Sequence, residues 1–471
     1  MVDELQLLRR HVDALSPASE AEIDGARHRL YAEIDLERRV APGHIDLRRA
    51  RQLGPVRRRR LRLGFAMAAL VFAAAAVIIP VLAGRTPHAK VATTRPTSPQ
   101  GRAVWTLAGY IAQPLWRVRP GTGSDPYRIT CPTATTCYAT GPSRPPSTGT
   151  TSTPPQYVVE VSHDGGGHWQ QLLAPAGAPK LIGLHCLSAD NCVAIGGTIG
   201  FSAMTYSMVT TADGGQSWTT LPIPGTSVGG GLLSCATSSA CVATYSVPGP
   251  RGQGSEYVAY MTSDGGHDWS ASAFPSTFSP DALECSRGGQ CIAGGYKATL
   301  AQEKSGDLGP AAIVYSTNGG ASWTEVTVPS GGSNIDTLSC ANANNCMAIE
   351  TGASKSSVLV SDDGGETWTA SPSGMPAGVR LNSVSCPTAS DCWVSGSRTI
   401  HAARQAVVYS TQDGGASWGN ESLPTVGGLT LGVVGAISCP RAPGCFAVAN
   451  VPSPSSVFGQ QVVLSDTAGS T

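Results

Sequence analysis

Residues 1–130 contain no cysteine, so the N-terminal region cannot carry a zinc motif of the His and Cys type found in some anti-sigma factors. Basic residues are scarce in the rest of the chain. Residues 103–471 hold 14 Lys and Arg against 22 Asp and Glu, whereas residues 1–102 hold 18 against 10. Nucleic-acid binding needs a clustered basic face. The acidic C-terminal part therefore argues against a nucleic-acid partner and favours a neutral or basic one.

The cysteines that are present lack the C-x2-C spacing of a zinc ribbon and have no accompanying His pair. All 14 fall into pairs of C-x5-C spacing: Cys131/Cys137, Cys186/Cys192, Cys235/Cys241, Cys285/Cys291, Cys340/Cys346, Cys386/Cys392 and Cys439/Cys445. A disulfide within each pair is the simplest of many possible pairings. Disulfides at this density indicate an oxidising compartment, and fourteen free thiols in the cytosol would explain the regular spacing less well. We predict no metal site and no cofactor.

Residues 1–62 are predicted to form a short helical segment. Leu5, Leu8, Val12 and Leu15 recur at helical spacing, and the Ser16-Pro17 pair is typical of the start of a second helix. Two short amphipathic helices make a small core. The segment is either a docking element, within residues 1–50, for a cytosolic partner or a solvated tail.

Residues 63–84 carry no charge for 22 positions, which is enough to cross a bilayer as one helix. An arginine-rich stretch, residues 57–62, directly precedes them, and the positive-inside rule then places the N-terminus in the cytoplasm. A cleaved signal peptide is the alternative, but its charged region would be far too long. We predict a single-pass protein of the cell membrane with an uncleaved signal anchor. Residues 85–102 form a proline- and threonine-rich linker.

An eight-residue pattern, hydroxyl-x-Asp-Gly-Gly-x-x-Trp, occurs six times at a period of about fifty residues. Its third and last positions are Asp164 and Trp169, Asp213 and Trp218, Asp264 and Trp269, Asn318 and Trp323, Asp363 and Trp368, and Asp413 and Trp418. The carboxylate or amide can accept backbone hydrogen bonds in a tight turn, and the glycines supply positive φ. Because Asn318 replaces Asp in one copy, the pattern favours turn formation over acid/base chemistry.

This pattern resembles the Asp-box of the BNR repeat family, over residues 104–471. The family includes sialidases and non-enzymatic propellers such as photosystem assembly factors, so the resemblance implies a β-propeller. Each repeat has four short apolar runs, as a propeller blade requires, and the second cysteine is predicted to open the second strand. Residues 103–471 are therefore predicted to be an all-β, seven-bladed propeller of four-stranded blades. The seventh repeat lacks its last strand, and we predict that residues 103–109, with Trp105, complete it.

The loop between the second and third strand of each repeat is predicted to vary, because the spacing from the second cysteine to the box differs between repeats. It is shortest from Cys346 to Ser361 and long from Cys137 to Ser162. The C-x5-C loop on the opposite face never changes. Binding loops vary on a fixed scaffold, so the variable face is the expected site for a protein or glycan ligand. The alternative explanation is that the longer loops are insertions without a function.

An exo-glycosidase of the sialidase type is the second functional hypothesis. It would require an arginine cluster and a tyrosine nucleophile with a nearby acid. The Tyr127-Arg128-Ile129-Thr130 stretch is similar to the family's Arg-Ile-Pro motif but has threonine in place of proline. The arginines at 251, 287, 380, 398 and 404 are scattered along the sequence. We therefore assign no catalytic residue, and the expected role is that of a binding, scaffold or sensor module.

Overall fold

The structure, a computed structural model, describes residues 105–111, 128–143, 156–172, 180–199, 204–227, 229–248, 255–298, 302, 309–329, 331–352, 355–401, 403–442, 444–452 and 460–466. The predicted cytosolic segment (1–62), membrane span (63–84) and linker (85–102) lie outside these residues and stay predictions. Within the described ranges, no helix has the length and apolar character needed to cross a bilayer.

The described residues form 28 strands in seven antiparallel four-stranded sheets. The strands are β1 Trp105–Tyr110, β2 Arg128–Thr130, β3 Cys137–Ser143, β4 Gln156–Ser162, β5 Gln170–Gln171, β6 Lys180–Cys186, β7 Cys192–Ile199, β8 Met204–Thr211, β9 Thr219–Pro222, β10 Gly229–Cys235, β11 Cys241–Pro248, β12 Ser255–Thr262, β13 Ser270–Ala273, β14 Phe278–Cys285, β15 Cys291–Lys297, β16 Ala311–Ser316, β17 Thr324–Val326, β18 Asn334–Cys340, β19 Cys346–Thr351, β20 Ser356–Ser361, β21 Thr369–Ala370, β22 Val379–Ser385, β23 Cys392–Ile400, β24 Ala403–Thr411, β25 Gly419–Asn420, β26 Val433–Ser438, β27 Phe446–Val451 and β28 Gln460–Asp466.

Successive groups of four strands form the blades. Blade 1 is β2 to β5, blade 2 is β6 to β9, blade 3 is β10 to β13, blade 4 is β14 to β17, blade 5 is β18 to β21, and blade 6 is β22 to β25. Blade 7 has the order β1-β28-β27-β26. The first strand of each blade contacts the first strands of both neighbouring blades, including β26 with β2. The predicted seven-bladed, all-β propeller is therefore confirmed.

The cores lie between neighbouring blades because the second and third strands are apolar on both faces. Residues Cys241 to Ser246 of β11, for example, are all buried. Seven clusters of buried side chains fill the seven interfaces. A strand that is buried on both faces reads as a continuous apolar run, which is how these strands appear in the sequence.

Strand β1 closes the ring by pairing antiparallel with β28, with Trp105 opposite Asp466. The Trp105 side chain is 2% exposed and packs with Trp393 and Val408 of blade 6 and Val434 of blade 7. Strand β1 thus occupies the outer position of blade 7, which is assembled from both ends of the described chain.

All seven predicted disulfides form within their own repeats. Each closes the hairpin between the first and second strands, and the Cα atoms of its two cysteines lie 4.0 to 4.2 Å apart. Such a separation is typical of a non-hydrogen-bonded antiparallel pair, in which facing side chains come close. Since β14 ends at Cys285 and β15 begins at Cys291, the register and the disulfide coincide.

The seventh repeat departs from the prediction at Cys445. In blades 1 to 6 the second cysteine opens the second strand, as predicted, but β27 of blade 7 begins after Cys445, at Phe446. The prediction that Cys445 opens a strand is therefore wrong, although its disulfide with Cys439 forms as predicted. Gly444, directly before it, has a φ of 131°, which is not the backbone of an extended strand. The Cys445 carbonyl still accepts the N–H of Asp466 at 2.8 Å.

Candidate functional site

The ring has two different ends, which we name by their loops. The box end carries the disulfide hairpins and the Asp-boxes. They are in direct contact, because the first box glycine donates its N–H to the disulfide loop of its own blade, as in Gly165 to Thr135 O at 2.8 Å and Gly414 to Ser390 O at 3.0 Å. The loop end carries the connections between second and third strands. The shortest of these joins Ile400 to Ala403, and the connection from Lys297 to Ala311 is among the longest.

The box residues form a hydrogen-bonded turn. In the second box, Thr211 Oγ1 donates to Asp213 Oδ1 at 2.7 Å and accepts the N–H of Gly215 at 2.8 Å. Asp213 Oδ1 also accepts the N–H of Ser217 at 2.9 Å, and Oδ2 accepts the Ser217 hydroxyl at 2.5 Å. These hydrogen bonds, led by the Ser217 hydroxyl, lower the pKa of Asp213 to about 2. The carboxylate is therefore fully engaged in stabilising the turn.

Asn318 makes the same turn without a charge. Its Oδ1 accepts from the Ser316 hydroxyl at 2.9 Å and from the N–H of Ser322 at 3.0 Å, while its Nδ2 donates to the Ser322 hydroxyl at 2.9 Å. The box glycines have positive φ in every copy, as Gly319 (69°) and Gly320 (91°) illustrate. This geometry supplies no group for acid/base chemistry.

The box tryptophans pack between blades. Trp368, at 5% exposure, belongs to the cluster between blades 4 and 5, and Trp418 packs against the cluster between blades 5 and 6. The indole N–H bonds locally, for example Trp269 Nε1 to Gly266 O at 3.0 Å. The fourth strand begins directly after the tryptophan and is very short in blades 1 to 6, as in β21 Thr369–Ala370.

The loop end brings together side chains from different repeats that the sequence keeps far apart. Asn334 Nδ2 of blade 5 donates to Asp281 Oδ2 of blade 4 at 2.9 Å and to Asp336 Oδ1 at 2.6 Å. The Thr351 hydroxyl donates to the other oxygen of Asp336. Burial raises the pKa of both carboxyl groups, and the charge of Asp336 raises that of Asp281 further.

Three of the arginines that are scattered in sequence lie at the loop end of blade 6, Arg380 and Arg404 on one face of the sheet and Arg398 on the other. Arg380 lies near the start of β22, Arg398 near the end of β23 and Arg404 near the start of β24, on adjacent strands. All three are exposed. The positive charge of Arg380 acts on Asp336 and partly offsets the rise in its pKa. The loop end thus presents an acidic group on blades 4 and 5 beside a basic group on blade 6.

Unusual backbone and apolar exposure also concentrate at this end. Among the described residues, Thr277 (φ 68°) and His401 (φ 48°) are the non-glycine residues with positive φ, and both lie in loop-end connections. Positive φ is a genuine outlier for a β-branched residue and is often associated with function. Ile400 and Leu429, each more than a third exposed, lie there as well.

The innermost strands of neighbouring blades are joined at the residue before the first cysteine of each repeat. In four blades this residue is a serine whose hydroxyl accepts the N–H of the next blade's cysteine: Ser234 from Cys285, Ser339 from Cys386, Ser385 from Cys439 and Ser438 from Cys131, at 2.9 to 3.0 Å. The other three blades have Thr130, His185 and Glu284 there. Aligning the repeats on their cysteines would have revealed these departures.

The described channel wall does not contain the groups of a sialidase site. Among the described residues of the innermost strands, the arginines are Arg128 and Arg380, on blades 1 and 6, and no tyrosine occurs. Burial lowers the pKa of Arg128, and Tyr127 lies outside the described residues. No set of three His, Cys, Asp or Glu within the described ranges could hold a metal ion. At the box end, a cleft of about 180 Å³ between blades 5 and 6 is lined partly by Ser361, Asp362 and Thr388.

Comparison with known proteins supports the repeat assignment. A family model described as BNR/Asp-box repeat matches residues 359–370. Among solved structures, YCF48 bound to D1 peptide aligns at 15% identity over 78% of this chain and 100% of its own, with a TM-score of 0.47. YCF48 from Cyanidioschyzon merolae aligns at 16% identity over 77% and 98%, also with a TM-score of 0.47.

A glycoside hydrolase shows a comparable likeness. The GH74 xyloglucanase from Xanthomonas campestris aligns at 12% identity over 76% of this chain and 55% of its own, with a TM-score of 0.45. No curated protein sequence matches the chain significantly. At these identities and TM-scores, the likenesses carry no conclusion about a ligand or a reaction.

Proposed function

Taking as premise that the chain is a β-propeller of BNR/Asp-box repeats, we propose that it is a binding module that engages a protein or glycan ligand at its loop end. We further propose that residues 63–84 anchor it in the cell membrane and that the propeller lies outside the cytoplasm. Seven disulfides support an oxidising location. The uncharged span and the preceding arginines support the anchor.

One observation carries the binding proposal: the two ends of the ring differ in the groups that they expose. At the box end, the polar groups of the boxes and hairpins satisfy one another. At the loop end, carboxylates, guanidinium groups, exposed apolar residues and strained backbone occur together. Charges of both signs at a surface steer partners and select among them, and exposed apolar side chains beside them are typical of recognition surfaces.

The experiment is capture of partners from an envelope extract by the full-length chain and by two charge-reversed variants. One variant carries Arg398→Glu and Arg404→Glu at the loop end. The matched control carries Arg287→Glu and Arg441→Glu, two exposed arginines in disulfide loops at the box end. A specific partner should be lost from the first variant and kept by the second. Equal capture by both variants would place the binding surface elsewhere and contradict the proposal.

A glycosidase assay with a fluorogenic substrate tests the second hypothesis on the same preparations. The described residues assemble no arginine cluster with a tyrosine on the innermost strands, so we expect no turnover above background. Turnover that disappears on Arg128→Ala substitution would replace the binding proposal with a catalytic one.

A further inference from the structure

One hairpin of blade 6 extends beyond the rest of its sheet at the loop end. Strands β23 and β24 have nine residues each and pair as far as the turn after Ile400. The neighbouring strand β22 begins only opposite Arg398, so the end of the hairpin has no strand beside it on that side. Residues 392–397 are buried, whereas residues 398–401 and 403–405 are all exposed. We call these exposed residues the hairpin tip.

The hairpin tip carries positive charge on both of its faces. Successive side chains of a strand point to opposite faces, so Arg398 and Ile400 share one face, whereas Arg404, opposite Thr399, lies on the other. Strands β23 and β24 contain no acidic residue. Neither Arg398 nor Arg404 forms an ion pair with a described residue, and the Ile400 side chain is 37% exposed. A projection of this kind fits a partner that presents carboxylates to it.

The same end of the ring carries an acidic group, which consists of Asp281 on β14 and Asp336 on β18. Both side chains are exposed, and their carboxylates accept from the same nitrogen, Asn334 Nδ2, at 2.9 and 2.6 Å. Burial raises the pKa of both carboxyl groups, and the charge of Arg380 offsets part of this rise at Asp336 only. The acidic group therefore has two carboxylates against one nearby guanidinium group, and it can accept further positive charge.

We propose that the loop end binds a second copy of this chain, with the hairpin tip of each copy on the acidic group of the other. This inference rests on the proposed binding function and names the partner. In a twofold dimer, both copies contribute the same surface to the interface. The hairpin tip of blade 6 and the acidic group of blades 4 and 5 lie on the same end of the ring. A twofold axis that crosses this end between them exchanges the two, so the dimer forms the contact twice.

The charges of the chain favour this partner and a single orientation for it. A guanidinium group pairs with a carboxylate through two parallel hydrogen bonds, and the acidic group supplies two carboxylates for Arg398 and Arg404. Residues 103–471 hold 14 Lys and Arg against 22 Asp and Glu, so two copies repel each other in most orientations. Opposite charges that face each other across an interface select the orientation in which they meet. The contact between the hairpin tip and the acidic group provides such an orientation.

The test measures energy transfer between donor-labelled and acceptor-labelled copies of the full-length chain, mixed at a series of concentrations in one detergent. Two variants reverse the charges of the proposed contact: Arg398→Glu with Arg404→Glu, and Asp281→Arg with Asp336→Arg. Two matched controls reverse as many exposed charges at the box end: Arg287→Glu with Arg441→Glu, and Asp362→Arg with Glu366→Arg. Each variant is first shown to unfold cooperatively in urea, which verifies that it is folded.

We expect the unaltered chain to self-associate and its association to weaken as the salt concentration rises. Each charge-reversed variant alone should associate at least about tenfold more weakly, whereas the controls should change the dissociation constant less than about twofold. A mixture of the two charge-reversed variants should associate like the unaltered chain, because each reversed group then faces the opposite charge. All copies share residues 1–102, so association through that segment cannot produce this pattern.

An unaltered chain that stays monomeric would overturn the inference, as would weakened association that mixing the two variants does not restore. If the chain is monomeric but the Arg398→Glu, Arg404→Glu variant still loses a captured partner, the hairpin tip binds a different protein and the proposed function stands. Failure of the inference can therefore be distinguished from failure of the proposed function.

Discussion

A single residue on the innermost strand determines whether a blade forms a hydrogen bond with the next blade. Serine before the first cysteine joins one blade to the next by a hydrogen bond, as Ser385 does with Cys439 at 3.0 Å. Replacing that serine by a longer acidic residue removes the bond and adds a desolvated carboxyl group. The difference between Ser385 and Glu284 therefore affects how firmly neighbouring blades are joined.

The raised pKa of Glu284 predicts that stability falls as pH rises. The folded-state pKa of about 7 lies above the ordinary value of 4.5, so the folded chain holds this proton more tightly than the unfolded chain. Stability from this group is present below about pH 4.5 and is lost between pH 4.5 and 7. We expect Glu284→Gln to raise the free energy of unfolding at pH 8 by about 1 to 3 kcal/mol and to leave it nearly unchanged at pH 4.

Urea unfolding at both pH values, with Glu366→Gln as the control, measures this difference. A stabilisation of the same size at pH 4 and pH 8 would show that the effect of the substitution does not come from ionisation.

At the scale of the element, the Asp-box is a turn in which geometry matters and charge does not. Asn318 shows that an amide can hold the turn. Asp413 accepts from the Thr411 hydroxyl at 2.7 Å, from the Ser417 N–H at 2.8 Å and from the Ser417 hydroxyl at 2.5 Å. An asparagine can keep the first two bonds and donate in the third.

We therefore expect Asp413→Asn to change the free energy of unfolding by less than about 0.5 kcal/mol and Asp413→Ala to lower it by about 1 to 3 kcal/mol. Thermal unfolding of both variants at neutral pH is the measurement. If the asparagine variant were as unstable as the alanine variant, the charge itself would be required and the turn explanation would be wrong.

The box carboxylates also predict acid sensitivity. Hydrogen bonds from Ser217 lower the folded-state pKa of Asp213 to about 2, below its ordinary value of 3.8. The stability that this group provides is present above about pH 4 and is lost as pH falls toward 2. Asp213→Asn should therefore show a smaller loss of stability between pH 4 and pH 2 than the unaltered chain, measured by the urea midpoint at each pH. An equal loss of stability in both proteins would show that the Asp213 carboxylate does not contribute to the acid sensitivity.

At the scale of the whole molecule, the sequence predicts the ring better than it predicts the side-chain contacts at the loop end. The boxes and cysteine pairs are local patterns that repeat, so each copy encodes one turn or hairpin, and the seven cysteine pairs give the number of blades. The bonds between Asn334 and the carboxylates of Asp281 and Asp336 involve two repeats. Their proximity depends on how neighbouring blades pack, which no single repeat encodes.

The repeat pattern predicts where strands begin and end less accurately than it predicts which cysteines pair. The pairing of Cys439 with Cys445 follows from spacing alone and is correct, whereas β27 begins one residue beyond Cys445, at Phe446. A pattern that seven repeats share does not show how one repeat differs locally from the others.

The arginines of blade 6 illustrate the same limit within one repeat. Arg380 and Arg404 share one face of blade 6 and Arg398 lies on the other, because β22, β23 and β24 pair in a register that sets Val379 opposite Arg398 and Thr399 opposite Arg404. The bulge between Leu381 and Ser383 shifts that register. Spacing along the sequence does not reveal such a shift.

Closure of the ring by β1 gives the last prediction. Trp105 is 2% exposed and fills the interface between blades 6 and 7, whereas Leu107 on the same strand is 38% exposed. We expect Trp105→Ala to lower the free energy of unfolding by about 3 to 5 kcal/mol, since it leaves a large cavity at the seam, and Leu107→Ala to change it by less than about 0.5 kcal/mol. Trp105 Nε1 has no hydrogen-bond partner among the described residues, so Trp105→Phe should lose far less than Trp105→Ala. Urea unfolding measures all three variants, and equal effects of Trp105→Ala and Leu107→Ala would show that the ring does not depend on this strand for its closure.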